Sequence, residues 1–234
     1  MQAHFTHKEA LTDIIVSFSF KTEKPFDYTA GQFIELTLVG HEEHGHPAKR
    51  WFTLSSSPSD DTLTITTRVG EASHTPFKRA LANLSSGDIV DISEPLGDFV
   101  LPKLIQTPLV FIAGGIGITP FRSMLEWLVH TDEKRSIRLL YSVRTEDDII
   151  FQDTFDAADQ HATIIVEDPS AAWGGERGKL SAELVLGLEK PSSDALFYIS
   201  GPEPFVQSMQ ADLLKLGVSN QQIVVDEFQG YDGV

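Results

Sequence analysis

The sequence predicts a two-domain protein of class β plus α/β, with a β-rich half over residues 1–102 and an alternating α/β half over residues 103–234. Three observations carry this prediction. The first hundred residues break into short apolar or alternating runs, rich in β-branched residues and separated by turn signals. The remainder alternates buried-type strands with amphipathic helices, the mark of a parallel sheet covered on both faces. The rhythm changes at Leu101-Pro102-Lys103, and a length of 234 residues suits two compact domains.

In the first half, strands are expected over residues 13–20, 32–39, 51–55, 62–68 and 88–93, as in a sheet or barrel. Pro25, Gly31, Gly40, the run Pro58-Ser59-Asp60-Asp61, Gly70, Gly87 and Pro95-Leu96-Gly97 punctuate them. One short helix is expected over 76–84. In the second half, strands are expected over 109–113, 137–143, 162–166, 196–200 and 223–226. Helices are expected near 120–130, 151–158, 181–186 and 205–216, the last one capped by Gly217.

Composition narrows the chemistry. Hydrophobic content is 41% and charged content 22%, and no segment approaches the roughly 20 apolar residues that span a bilayer. Met1-Gln2-Ala3-His4-Phe5 has neither a basic n-region nor an apolar h-region, so a cytoplasmic protein is expected. Cysteine is absent, which excludes disulfides, Cys-ligated zinc and thiolate-bound iron–sulfur clusters from the described sequence. A redox centre here would be a bound organic cofactor. The formal net charge of −16 disfavours nonspecific nucleic-acid binding.

Three clusters carry chemistry. Leu109-Val110-Phe111-Ile112-Ala113 leads into the turn Gly114-Gly115-Ile116-Gly117-Ile118 and then an amphipathic helix, with Thr119 expected as its N-cap and Pro120 as its first residue. Glycines admit a dinucleotide to the backbone, and free helix N–H groups favour its pyrophosphate, although a glycine turn also serves close packing. Lys49-Arg50-Trp51-Phe52-Thr53-Leu54-Ser55-Ser56-Ser57 sets a cation, two aromatics and several hydroxyls on and after a strand, with Arg50 and Phe52 expected on one face. A flavin nucleotide needs such groups: a guanidinium for pyrophosphate, a wall for its ring and a hydrogen-bond partner at N5. Thr66-Thr67-Arg68-Val69-Gly70-Glu71-Ala72-Ser73-His74-Thr75-Pro76 carries a strand through a glycine turn to a helix that Ser73 or Thr75 could cap.

The order Arg-aromatic-aromatic-Thr-x-Ser-Ser, Gly-x-x-Ser, Gly-Gly-x-Gly-x-Thr-Pro, Ser-Gly-Pro-x-Pro resembles the ferredoxin–NADP reductase superfamily over nearly the whole chain. The resemblance implies an N-terminal antiparallel Greek-key barrel holding FAD and a C-terminal Rossmann-like domain holding NAD(P). It implies that Arg50 holds the flavin pyrophosphate, that Phe52 stands where a tyrosine usually lines the isoalloxazine, and that Thr53 lies near N5. Arg68, Val69 and Gly70 would lie beside the flavin, and Ser73, His74 and Thr75 would contact its phosphates. Gly114, Gly115, Gly117 and Thr119 would shape the nicotinamide dinucleotide site. Ser200-Gly201-Pro202 matches a Cys-Gly-Pro segment with serine in place of cysteine, which puts Ser200 near the hydride path. Phe228, with Tyr231 second, would cover the flavin.

The implied reaction is hydride transfer between nicotinamide and flavin, with electrons passed to or from a separate acceptor such as a ferredoxin or flavodoxin. Reduction of free flavin or ferric chelates, and service as a non-catalytic electron-transfer subunit, are the alternatives. Lys49, Arg50, Lys78 and Arg79 are the nucleus of a basic docking patch. Arg144 could pair with a 2′-phosphate, whereas Glu167 and Asp168 would repel it and accept a ribose hydroxyl. The two acids favour NADH. The segment 41–46, with its histidines and glutamates, is expected to be a solvated loop with no metal.

Overall fold

The computed structural model describes residues 1–43, 45–69, 75–158, 162–189 and 191–226. Two six-stranded sheets organise them. The first contains β1 (Gln2–Ala10), β2 (Ile15–Thr22), β3 (Phe33–Glu43), β4 (His46–Thr53), β5 (Leu63–Arg68) and β6 (Ile89–Ile92). Their order is β4-β3-β6-β1-β2-β5, and the pairings are antiparallel. β6 returns between β3 and β1, the long connection of a Greek key. A bridge between Leu54 and Ile65 joins the end of β4 to β5, so the sheet curls closed.

Alternation builds the barrel core. Ile34, Leu36 and Leu38 of β3 turn inward to meet Phe18 and Phe20 of β2 and Val90 and Ile92 of β6. Helix α1 (Pro76–Ala82) covers one end of it. The Thr75 hydroxyl accepts the Lys78 amide at 3.3 Å, Pro76 opens the helix, and Phe77 and Leu81 enter the core. Each such buried side chain contributes about 1.5–3 kcal/mol.

Two features depart from expectation. β1 was not foreseen, because only Ala3 and Phe5 of its nine residues reach the core; backbone pairing to β2 and β6 holds the rest, around a register shift between Phe5 and His7. Residues 41–43 and 46 belong to strands rather than to a loop, since Glu42 and Glu43 pair with Pro47 and His46. His44 lies outside the described residues.

The second sheet contains β7 (Leu109–Gly114), β8 (Ile137–Val143), β9 (Ala162–Val166), β10 (Glu176–Arg177), β11 (Leu196–Ser200) and β12 (Ile223–Val225). These pair in parallel in the order β10-β9-β8-β7-β11-β12. Helices α2 (Thr119–Thr131), α3 (Gln152–Ala157), α4 (Ala182–Glu189) and α5 (Glu203–Lys215) connect them. Alternate β7 residues serve opposite layers: Phe111 packs with Phe121 and Tyr141 on one face, Val110 and Ile112 with Val206 and Met209 on the other. That is why β7 reads as an unbroken apolar run. The chain builds outward from β7 to β10 and then resumes at β11 on the opposite side. The crevice between the ends of β7 and β11 is therefore the topological switch point, where open α/β sheets take ligands.

The two halves share a core. Ile15, Ala30 and Phe99 join the cluster built on Phe111, Phe121 and Tyr198, with Phe99 set edge-on to Phe121 and Tyr198 at 5.7 and 5.2 Å. Polar contacts reinforce the seam: Arg122 Nη1 donates to the Ser55 carbonyl and Ser123 Oγ to the Ser56 carbonyl, both at 2.5 Å. Gly217 closes α5 with φ of 93°, and the amides of Gly217 and Val218 bond back to Leu214 and Leu213. No helix among the described residues is long and apolar enough to cross a membrane.

Candidate functional site at the junction of the two sheets

On the barrel side, Arg50 and Phe52 share a face. The Phe52 ring stacks on Phe77 at 5.9 Å, and the Arg50 guanidinium carbon lies 5.3 Å from the same Phe77 ring. Trp51 points the other way, against Phe33, with its indole N–H on Glu35. Arg50 Nη1 donates to the Lys49 carbonyl at 2.7 Å, and Nη2 lies 2.7 Å from the Glu43 carboxylate. Thr53 is buried and sits opposite Phe33 across the β3–β4 ladder. The Val69 amide bonds the Ile14 carbonyl, continuing the sheet past β5.

Arg68 reaches across the junction. Its Nη1 lies 2.9 Å from Asp148, a buried acid that also accepts from the Thr145 amide at 3.3 Å. A Cβ at Gly115 would be 3.6 Å from the other terminal nitrogen of Arg68, so this barrel cation stands directly over the glycine turn of the second sheet. Lys78 completes a group of three cations. Burial, and the nearby charges of Arg68 and Arg50, push its ammonium below the usual lysine range. Lys78 is thus a half-buried neighbour of both Arg50 and Arg68.

On the other side, the glycine turn is shaped for close approach. Gly115 has φ of 53°, and residues 115–118 form a 3₁₀ turn that runs straight into α2. Thr119 is therefore the first helical residue and not an N-cap; it is buried, and its hydroxyl donates back to the Ile116 carbonyl at 3.1 Å. The free end of the helical segment consequently moves back to Gly114 and Gly115. A Cβ at Gly117 would overlap the Ser200 carbonyl and the Gly201 amide, and one at Gly114 or Gly201 would come within 3 Å of the Phe205 ring. Ser200 ends β11, and Gly201 and Pro202 lead from it into α5, with Pro202 as the cap residue. The two glycine-bearing segments thus meet backbone to backbone at the switch point.

Beside them lies an acid that residue patterns did not reveal. Ser200 Oγ donates to Asp226 Oδ2 at 2.9 Å, and both side chains are buried. Burial raises the Asp226 carboxyl to about 7, partly offset by the Ser200 hydrogen bond. A cleft of about 480 Å³ opens between the barrel and the end of β12, lined by Phe33, Phe99, Ile223 and Asp226 among others. Gly70, Ser73, His74, Phe228 and Tyr231 fall outside the described residues.

Farther out, at the ends of β8 and β9, Arg144 Nε lies 3.3 Å from Asp168 Oδ2. The amides of Glu167 and Asp168 bond the carbonyls of Val143 and Arg144, which fixes these two loops side by side. The cation and the acid of this region form a pair with each other.

Comparison with known proteins agrees with this construction. Residues 111–211 match the family model described as the oxidoreductase NAD-binding domain. A flavohemoprotein of Bacillus cereus is 27% identical over 235 residues, covering 93% of this chain and 58% of that protein. The NADH oxidoreductase HCR of Escherichia coli is 26% identical over 225 residues, covering 94% of this chain and 65% of that protein. The chain thus spans under two thirds of the length of these curated relatives. A ferredoxin NADP+ reductase from Neisseria gonorrhoeae, solved with bound FAD and NADP, superposes with a TM-score of 0.81 at 22% identity, covering 97% of each chain.

Proposed function

We propose that the chain is a ferredoxin–NADP reductase-like FAD/NAD-binding oxidoreductase module, which reduces a barrel-bound FAD with a nicotinamide dinucleotide and hands the electrons to a separate acceptor; the match to the oxidoreductase NAD-binding domain over residues 111–211 and the shared two-sheet fold support this reading. The observation that carries this reading is the convergence at the switch point. The glycine turn at the end of β7 and the Ser200-Gly201-Pro202 segment at the end of β11 meet there, and Arg68 of the barrel stands over Gly115. On this reading the chain divides between residues 102 and 103 into a flavin unit and a nucleotide unit.

The residues suit the two ligands. Arg50 and Lys78 supply charge for the flavin pyrophosphate, while Phe52, backed by Phe77, gives a ring wall. Gly114, Gly115 and Gly117 let a nucleotide reach the backbone, with Gly201 and Pro202 opposite and Thr119 bracing the turn. The Val69 amide is bonded to Ile14 and the Thr75 hydroxyl caps α1; Arg68, Val69 and Gly70 are assigned to the flavin, and Ser73, His74 and Thr75 to its phosphates. FAD held by Arg50, Phe52 and Lys78 would supply the redox chemistry, hydride exchange with the nicotinamide and single-electron transfer to an acceptor. The protein positions the two rings and excludes water. Thr53, Ser200 and Phe228 are the residues assigned to the reacting atoms, and the Ser200–Asp226 pair fixes the hydroxyl.

The dinucleotide is NADH. The Arg144 charge that would meet a 2′-phosphate is already engaged by Asp168, and Glu167 adds a second negative charge next to it. Asp168→Arg tests this: the ratio of NADH to NADPH turnover is expected to fall by an order of magnitude or more, and an unchanged ratio contradicts the assignment. Arg50→Ala tests the flavin site, with folded but flavin-depleted protein expected; full FAD retention contradicts the role of Arg50.

A further inference from the structure

Arg50, assigned above to the flavin pyrophosphate, already holds an anion. Glu43 Oε2 is 2.7 Å from Arg50 Nη2, and Glu43 Oε1 accepts the Phe77 amide at 3.1 Å. Both side chains are largely shielded, 21% exposed for Arg50 and 14% for Glu43, so this is not a loose surface pair. The register explains how the carboxylate gets there. β3 and β4 remain paired out to Glu43 and His46, and a register shift between Thr37 and Glu42 lies within the hairpin. The long hairpin brings Glu43 back over the strand that carries Arg50, at the edge of α1. There the carboxylate makes two charge-assisted or amide hydrogen bonds of the kind a phosphate oxygen makes.

We propose that Glu43 is an internal stand-in for the flavin pyrophosphate, occupying the anion seat on Arg50 so that FAD binds by exchange with its carboxylate. This rests on the flavin reading given above. Nη1 donates to the Lys49 carbonyl, and Nη2 faces Glu43, so a phosphate that approaches by that edge meets the carboxylate first. Two anions on one guanidinium repel, so the incoming phosphate displaces the carboxylate instead of joining it. Glu43 thereby keeps Arg50 oriented over Phe77 while flavin is absent and sets the flavin affinity below what the seat without the carboxylate would give.

The test is equilibrium binding of FAD and of riboflavin, which lacks phosphate, to flavin-free protein, read by quenching of flavin fluorescence. Glu43→Gln keeps an acceptor for the Phe77 amide and removes the charge, so folding is preserved; circular dichroism and thermal unfolding verify it. Expected are FAD binding about tenfold tighter in Glu43→Gln, riboflavin binding unchanged, and loss of the FAD gain when Arg50→Ala is added. Weaker FAD binding in Glu43→Gln would make Glu43 a positioning residue for Arg50 and overturn the proposal. Equal FAD affinity, or equal gains for FAD and riboflavin, would overturn it as well while leaving the flavin reading intact. Failure of wild type and variant alike to bind FAD would overturn both.

Discussion

Ser200 and Asp226 are joined by a buried hydrogen bond of 2.9 Å that ties the end of β11 to the residue after β12. The Asp226 amide reinforces it by bonding the Ile199 carbonyl at 2.9 Å. The carboxyl is held near 7 in the folded chain, far above its ordinary 3.8, because burial disfavours its charge. A raised acid binds its proton more tightly when folded, so its contribution is fully present below about pH 4. That contribution is lost progressively as pH rises through 7.

Asp226→Asn removes this titration while keeping an acceptor for Ser200. Urea unfolding across pH 4–8 is expected to show wild type losing stability over that window and the variant losing less. The gap should reach as much as about 4 kcal/mol at pH 8. Parallel pH profiles would show that Asp226 does not titrate in this range.

Gly117→Ala places a methyl group against the Ser200 carbonyl and the Gly201 amide, backbone atoms that cannot swing aside. A loss of about 1–3 kcal/mol in denaturant midpoint analysis is expected, with weaker nucleotide binding as the turn is pushed open. Wild-type stability and nucleotide affinity would show that the turn has more room than the structure gives it.

Asp148→Asn removes the Asp148 charge from the partly shielded Arg68 and weakens the turn over residues 145–148. Because Arg68 is about one-third exposed, solvent screens part of the loss, and a destabilisation of roughly 1–2 kcal/mol is expected. Thermal unfolding at low and high salt measures it; the difference between variant and wild type should shrink as salt rises.

Ser123→Ala cuts a bond between α2 and the Ser56 carbonyl that sits wholly inside the seam between the halves. The stranded carbonyl costs about 1–2 kcal/mol, although the Tyr28 hydroxyl, which also donates to Ser56 O at 2.9 Å, limits the damage. A double-mutant cycle with Tyr28→Phe should give a non-additive loss.

How much of this was legible in the chain depends on whether the responsible contacts are local. β7 and its glycine turn are written in consecutive residues, so the strand, the turn and α2 could be placed closely. β1 could not, because its stability comes from pairing with β2 and β6 and only Ala3 and Phe5 mark it as apolar. Thr119 looked like a cap because the pattern shows a hydroxyl before Pro120. It does not show that residues 115–118 already coil into the helix. The same limit applies to the site. Arg50 and Phe52 could be put on one face by alternation, whereas the partnerships of Arg50 with Glu43, Arg68 with Asp148 and Ser200 with Asp226 span hairpins, halves and strands.

The proposed function requires one chain to hold a flavin and let a nicotinamide dinucleotide reduce it. The most direct measurement is the visible absorbance spectrum of the purified protein, supplemented with FAD if needed, before and after anaerobic addition of NADH and, separately, NADPH. Flavin bands that bleach with the dinucleotide, faster with NADH, are the predicted result. A protein that stays colourless and takes up no FAD, or flavin bands that neither nucleotide bleaches, would contradict it.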